Sequence, residues 1–304
     1  MKVFLTGGTG FVGSYMSRRL IETGHEVVIL TRHERAAASM PPGAKYTVGD
    51  PGKPGPWQDR LAECDTVINL AGASIFTRWN SAARKVIVDS RVLTTRHVVE
   101  ALAAGRQGKD TLLLSASAVG YYGGRQDDAI LDETGPPGSD FLAEVGKLWE
   151  AEAAKAERFG VRVALCRFGI VMGRGGGSLE KMVPPFKRGL GSPLGSGKQW
   201  FSWIHEEDLF RIMCFLTEKK NIAGPVNCTA PDPVRNEEMT RVLAKALHRP
   251  LIAPSVPAFM VKLMLGEFGN VILTGQRVIP KRLLDEGFQF QFPTLREALA
   301  DLID

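Results

Sequence analysis

Three glycines spaced three residues apart carry the most specific chemistry in this sequence. They lie in Thr6-Gly7-Gly8-Thr9-Gly10-Phe11-Val12-Gly13, between the apolar run 1–5 and an amphipathic stretch, 14–23, that ends at Gly24. This order reads as a buried strand, a tight turn and a helix. Gly7 lets the chain turn, Gly10 lets a phosphate approach the backbone, and Gly13 lets the helix pack close to the strand. The free N–H groups of the helix N-terminus then face a pyrophosphate. A second apolar run, 26–30, follows, which is the context a dinucleotide-binding loop requires. The tip of that second strand reads Thr31-Arg32, with Arg35 close behind, where an NAD site has an acidic residue. A basic residue there favours the 2′-phosphate, so the expected cofactor is NADP rather than NAD, with Arg32 the main contact. Asp50, after the third apolar run, is placed either to accept a hydrogen bond from the adenine amino group or to form a turn. Leu70-Ala71-Gly72 ends the fourth run in small residues, which leaves room for the cofactor.

A second set of reactive groups follows the fifth apolar run. Ser115, Ser117, Tyr121 and Tyr122 stand within eight positions of one another. Hydroxyls at the end of a buried strand are well placed to hold a substrate oxygen, though a serine there can also simply cap the strand.

The elements that must position these residues alternate regularly. Strands are expected at 1–6, 26–30, 46–50, 66–72, 111–117 and 161–168. Helices are expected at 14–23, 82–104 and 141–159, the last with Asp140 as N-cap. This alternation predicts an α/β fold, a doubly wound parallel sheet of Rossmann type. It weakens after Gly169. The segment 173–197 is rich in glycine, proline and basic residues, as a substrate lobe would be. A short strand at 203–205, a helix at 206–216 and a returning strand at 226–228 follow. Asn236 is expected to cap a helix to Leu247, 250–257 to be a linker, and Thr294-Leu295-Arg296-Glu297 to be a capping box for the last helix. The expected division is a dinucleotide domain, 1–172, rejoined by 205–228, and a smaller C-terminal substrate lobe, 173–204 and 229–304.

Of the 304 residues 44% are hydrophobic and 23% charged, ordinary for a globular protein. The net charge of +5 suits an anionic ligand. The basic pairs are scattered, and no motif points to nucleic acid. No apolar run approaches a membrane span. Met1 opens directly into the first strand, leaving no room for a leader, so a cytoplasmic protein is expected. Cys64, Cys166, Cys214 and Cys228 are far apart and form no metal-binding spacing, which reads as free thiols in a reducing compartment.

With these residues in view, the chain resembles the extended short-chain dehydrogenase/reductase superfamily, in its NAD-dependent epimerase/dehydratase branch. The glycine loop, Asn69-Leu70-Ala71-Gly72, Ser115-Ala116-Ser117-Ala118-Val119-Gly120-Tyr121, Arg167-Phe168-Gly169-Ile170-Val171 and Phe201-Ser202-Trp203-Ile204-His205-Glu206-Glu207-Asp208 each match one of its signatures. More narrowly, Val119-Gly120-Tyr121-Tyr122-Gly123 and Phe141-Leu142-Ala143 are similar to a group labelled sugar-nucleotide epimerases or "epimerase family proteins". That group carries a C-terminal domain of unknown function, to which 251–302 corresponds, and some of its members carry a cell-division label. The resemblance implies that Ser117 is the catalytic hydroxyl, that Ser115, Lys147 and Arg167 also touch the cofactor, and that a homodimer forms through 82–104 and 141–159.

One departure outweighs these matches. The superfamily's catalytic pair is Tyr-x-x-x-Lys, whose i, i+4 spacing puts both side chains on one helix face. None of the four tyrosines, Tyr15, Tyr46, Tyr121 and Tyr122, is followed by a lysine at that spacing. Alignment on Lys147 puts Ala143 at the tyrosine position; alignment on Glu150 puts Leu142 and Gly146 at the pair. The asparagine of the preceding helix is replaced by Arg91. Replacement proton donors are Tyr121 or Tyr122, then Lys147, Glu144 and His205. The expected function is an NADP-dependent oxidoreductase or epimerase acting on a small carbonyl or hydroxyl compound such as a nucleotide sugar. The alternative is a dinucleotide-binding sensor or partner-binding protein without turnover, tied to cell division.

Overall fold

The computed structural model describes residues 1–105 and 110–303; residue 304, the end of the expected lobe, lies outside them. Seven strands form one parallel sheet: β1 (Lys2–Thr6), β2 (Glu26–Thr31), β3 (Lys45–Val48), β4 (Thr66–Asn69), β5 (Leu112–Ala118), β6 (Arg162–Phe168) and β7 (Gly224–Cys228). Their order is β7-β6-β5-β4-β1-β2-β3. The order reverses between β1 and β4, and such a switch point opens a crevice at the carboxyl ends of the strands. The alternation in the sequence therefore did predict the fold class. β3 starts and ends earlier than the expected 46–50, so Asp50 lies beyond the strand in the following turn.

The strand runs are apolar on both faces because both faces are covered. On one, Val3, Leu5, Val27, Ile29 and Leu114 pack with Met16 and Leu20 of helix Phe11–Glu22 and with Leu209, Ile212, Met213 and Leu216 of helix Glu206–Glu218. Each such side chain fully buried contributes about 1.5–3 kcal/mol. On the other, Phe4, Val28, Val67, Leu113 and Val163 pack with Trp57, Leu61, Val98, Leu102 and Ala153. The latter come from helices Trp57–Ala62, Ser81–Gly105 and Phe141–Ala154. Asp140 caps the last of these as expected, its carboxylate accepting from Ala143 N at 2.9 Å.

A third core holds the C-terminal lobe. Leu179 and Phe186 of helix Gly177–Lys187 meet Trp203, Met239, Leu243, Leu295 and Leu299. The Asp208 carboxylate ties this lobe down by accepting from the backbone N–H groups of Gln291 and Phe292, both at 2.8 Å. Thr294 and Glu297 form the expected capping box, with Thr294 N donating to Glu297 at 3.1 Å and Glu297 N to Thr294 at 3.4 Å. Asn236 does not cap its helix. It is the first helical residue, and its side-chain oxygen accepts from Leu194 N at 2.9 Å, pinning the 194–199 loop instead. Among the described residues no helix is long and apolar enough to cross a membrane, and the four cysteines are free.

Candidate dinucleotide crevice and its polar core

The glycine loop sits at the end of β1, over the switch point. Gly7 has φ +69°, and a Cβ there would lie 2.8 Å from the Leu70 carbonyl carbon. A Cβ on Gly13 would lie 2.2 Å from the Gly7 oxygen, so only glycine lets the helix start this close to the turn. Gly10 occupies the N-cap position of helix Phe11–Glu22, and no side chain caps that terminus. The N–H groups of Phe11 and Val12 are thus left for an anion, as the spacing of Gly7, Gly10 and Gly13 leads one to expect. The Phe11 ring turns away from the loop. Side chains added at Gly173, Gly176 or Gly177 would come within 2.8 Å of it, so the second glycine-rich segment forms a cradle for this ring.

Thr6 locks the loop to β4. Its hydroxyl donates to Asn69 Oδ1 at 2.7 Å and accepts from the N–H groups of Leu70 and Ala71 at 3.1 and 3.2 Å. Asn69 Nδ2 donates to Thr95 at 2.8 Å, and the Trp149 indole N–H donates to the same hydroxyl at 3.0 Å. At the tip of β2 the Thr31 hydroxyl donates to the His33 carbonyl at 3.2 Å. The Arg32 side chain beside it is exposed and has no ion pair among the described residues. Asp50 accepts from Gly52 N at 3.0 Å, which is the turn-forming reading. These features fit a dinucleotide: an uncapped helix terminus behind a cradle that a Cβ would fill, and a free cation where a 2′-phosphate would fall.

At the other end of the crevice is a buried ion pair. Arg167 on β6 donates to both oxygens of Glu150, each at 2.8 Å, and both side chains are almost wholly buried. Ser117 on β5 donates to the same carboxylate at 2.7 Å. Arg167 also donates to the Tyr122 hydroxyl at 2.9 Å, which in turn donates to Asn227 at 2.7 Å. Burial pushes the Tyr122 pKa up to about 12, although Arg167 and Asn227 pull the other way. Its proton is therefore tightly held. The Tyr121 ring lies under the Arg167 guanidinium, 3.6 Å from ring centroid to Cζ. Its hydroxyl has no hydrogen-bond partner among the described residues. Ser115 is buried with its hydroxyl unpartnered.

Glu150, used in the sequence only as an alignment anchor, is the site residue that sequence reasoning missed. It shares a helix stripe with Ala143, Gly146 and Ala153, all buried. That 3–4 residue spacing was the available signal that this glutamate faces inward. The structure also gives the Tyr-x-x-x-Lys gap a physical sense. A Cβ on Gly146 would lie 3.2 Å from Tyr121 Cα, so Tyr121 uses the space that a larger side chain would need.

The other proton-donor candidates are engaged elsewhere. Lys147 pairs with Glu144 one turn earlier on the same helix. His205 is buried and caps helix Glu206–Glu218, its Nδ1 accepting from Glu207 N at 3.0 Å. Its ring stacks on Phe292 with centroids 3.9 Å apart, and its Nε2 stands 3.3 Å from Asp301. It lines a separate cavity of about 380 Å³ with Tyr15, Arg18, Arg174, Glu206 and Asp301. Burial pushes the His205 pKa down despite the facing Asp301 and Asp208, and it pushes the Glu206 carboxyl up. A second cavity of about 450 Å³ lies in the lobe, lined by Arg125, Lys198, Trp200, Arg235, Lys262 and Thr274. No cluster of three metal-ligating side chains occurs among the described residues.

Sheet order, glycine loop and uncapped helix terminus together define a dinucleotide-binding protein of the short-chain dehydrogenase kind. The model of the NAD dependent epimerase/dehydratase family matches residues 3–228, and a domain of unknown function matches residues 256–302. The chain belongs to the NAD dependent epimerase/dehydratase family, as its signatures led one to expect. It is 40% identical over 300 residues to the chloroplastic epimerase family protein SDR39U1 homolog of Arabidopsis thaliana, covering 98% of this chain and 86% of that one. It is 36% identical to the epimerase family protein YfhF of Bacillus subtilis, over 100% of this chain and 98% of the relative. Among solved structures it resembles human epimerase family protein SDR39U1 with NADPH, at 33% identity and a TM-score of 0.85, covering 100% of this chain and 99% of that one. It also resembles a nucleoside-diphosphate sugar epimerase from Corynebacterium glutamicum, at 32% identity and a TM-score of 0.80, covering 100% of this chain but 58% of that one.

The buried His205 gives the fold a pH signature. Its folded pKa lies below the ordinary 6.5, so the folded state binds fewer protons than the unfolded one near and below that pH. Its contribution is fully present above about pH 6.5 and declines as the pH falls toward the depressed value. Glu206, with a raised pKa, acts in the opposite sense at lower pH. Urea unfolding from pH 7.5 to 5 should therefore show His205→Asn, which keeps an N-cap side chain, losing less stability than the wild type. Parallel profiles would show that His205 does not titrate between these limits.

Proposed function

We propose that this chain is an NADP-dependent oxidoreductase or epimerase acting on a small carbonyl or hydroxyl compound, with a serine, a tyrosine and a buried ion pair in place of Tyr-x-x-x-Lys. One observation carries the reading: Ser117 gives its proton to Glu150, Arg167 holds that carboxylate, and Tyr121 lies against the same guanidinium with its hydroxyl free. A bound nicotinamide ring would supply or accept the hydride. Ser117 has its one hydroxyl proton committed to Glu150, so its lone pairs are left to accept a hydrogen bond from a substrate hydroxyl. Tyr121 then exchanges a proton with the substrate oxygen. Tyr122, whose proton is tied into the Asn227 contact, acts as scaffold.

Arg32 and the NADPH in the human relative support NADP over NAD. The lobe cavity supports an anionic substrate such as a nucleotide sugar. The guanidinium carbons of Arg235 and Arg277 stand 3.9 and 4.6 Å from its Trp200 ring centroid, and Asp128 pairs with Arg235. Lys198 and Lys262 line the same cavity with no ion pair among the described residues. Exposed Val86, Leu148 and Phe159 favour a homodimer through 82–104 and 141–159, and the free thiols favour a reducing cytoplasm. The second reading, a dinucleotide sensor without turnover, rests on the absence of Tyr-x-x-x-Lys, under either alignment of the helix.

Two measurements test this. NADPH should raise the melting temperature more than NADH at equal concentration, and Arg32→Ala should remove the difference; equal shifts in the wild type would refute the role of Arg32. In a screen of carbonyl and hydroxyl substrates, Tyr121→Phe should lower NADPH-linked turnover by about 10²-fold or more, the usual value of a general acid. Ser117→Ala should lower it too. Turnover indifferent to both changes removes these residues from the active site, and a wild type that binds NADPH but turns nothing over favours the sensor.

A further inference from the structure

Arg91, on helix Ser81–Gly105, is a half-buried cation with no carboxylate partner among the described residues. Its Nη1 donates to the Ala73 and Ile87 carbonyls, both at 3.1 Å. Its guanidinium lies 5.2 Å from the Trp149 ring centroid. The indole N–H of Trp149 is fixed by Thr95, the same hydroxyl that Asn69 reaches. The guanidinium is thus held by the polar chain that locks the crevice floor. Its location is specific: a Cβ on Gly72, just after β4, would lie 3.1 Å from Arg91 Cζ. Arg167 differs, because Glu150 neutralises it. Burial lowers the Arg91 pKa to about 10, and no opposite charge offsets that effect.

The consequence follows from how a dinucleotide lies in such a crevice. The loop after β1 takes the pyrophosphate and the tip of β2 takes the adenosine ribose, so the other half of the molecule extends over β4 and β5. Arg91 stands at that end. We propose that Arg91 is a redox-state selectivity residue, whose uncompensated charge makes the site hold NADPH, with its neutral ring, more tightly than NADP⁺, with its positive ring. This rests on the reading of the crevice as a nicotinamide dinucleotide site. Attraction between Arg91 and the phosphates is common to both forms and cancels in the ratio of their affinities. The ratio therefore isolates the effect of charge at the ring. A unit charge acting over roughly 10 Å at an effective dielectric of about 20 changes that ratio on the order of tenfold.

The test is direct titration of the full chain with NADPH and with NADP⁺, without substrate. The wild type should bind NADPH on the order of ten times more tightly. Arg91→Gln, which retains an amide donor for the two carbonyls, should bring the ratio close to one. Arg91→Lys, which retains the charge, should preserve most of it. Arg91→Met is the second neutral variant should Arg91→Gln not fold, as judged by ligand-free melting. A ratio that the neutral variant leaves unchanged, in a wild type that binds both forms, overturns the role of Arg91 alone. A wild type that binds neither form overturns the dinucleotide reading, and this proposal with it.

Discussion

The pair of Arg167 and Glu150 is the interaction on which the hydroxyl cluster at the ends of β5 and β6 depends. It joins β6 to helix Phe141–Ala154, and through it pass the contacts to Ser117, Tyr121 and Tyr122. Removing two charges from water costs several kcal/mol per ion, and a buried pair repays this only when its remaining hydrogen-bonding capacity is used. Here it is used: Glu150 takes three donors, and Arg167 gives its spare N–H to Tyr122 and to the Glu133 carbonyl. Breaking one half of such a pair typically costs about 3–5 kcal/mol, because the other charge is left uncompensated. The geometry of the hydroxyls is therefore set by an interaction that the fold cannot cheaply rearrange.

The cofactor end is organised by weaker but continuous links. Thr6, Asn69, Thr95 and Trp149 form one chain of hydrogen bonds running from β1 through β4 to helices Ser81–Gly105 and Phe141–Ala154 on one face of the sheet. A crevice floor held this way is preorganised, since its hydrogen-bonded side chains keep their places without a ligand. The loop after β4 is also tied to the lobe: Arg78 donates to the Leu263 carbonyl at 2.8 Å, and Arg84 pairs with Glu267 at 2.6 Å.

What could be read from the sequence was what local pattern determines. The glycine loop, the apolar strand runs, Asp140 and the Thr294–Glu297 box each depend on a few neighbouring residues, and all were legible. The lobe was less so, because glycine and proline in 173–197 obscure a helix, Gly177–Lys187, that holds Pro184 and Pro185 within it. Asn236 misled for a similar reason: its residue type favours a cap, but a loop forty residues away claims its side chain. Helix spacing could show that Glu150 faces inward, but its contacts with Ser117 and Arg167 exist only when β5 and β6 lie side by side, a relation that no local spacing encodes. Sequence did show that Tyr-x-x-x-Lys is absent; only the packing of Tyr121 on Gly146 shows what occupies that space.

The central claim is that the reactive hydroxyls and the dinucleotide share one crevice. A crystal structure of the chain with NADPH tests it most directly. The account predicts the pyrophosphate on the N–H groups of Phe11 and Val12, the 2′-phosphate at Arg32, and the nicotinamide ring facing Ser117 and Tyr121, with the Glu150–Arg167 pair intact. A nicotinamide ring directed away from both hydroxyls, or a Tyr121 hydroxyl buried by the closed lobe, would contradict it.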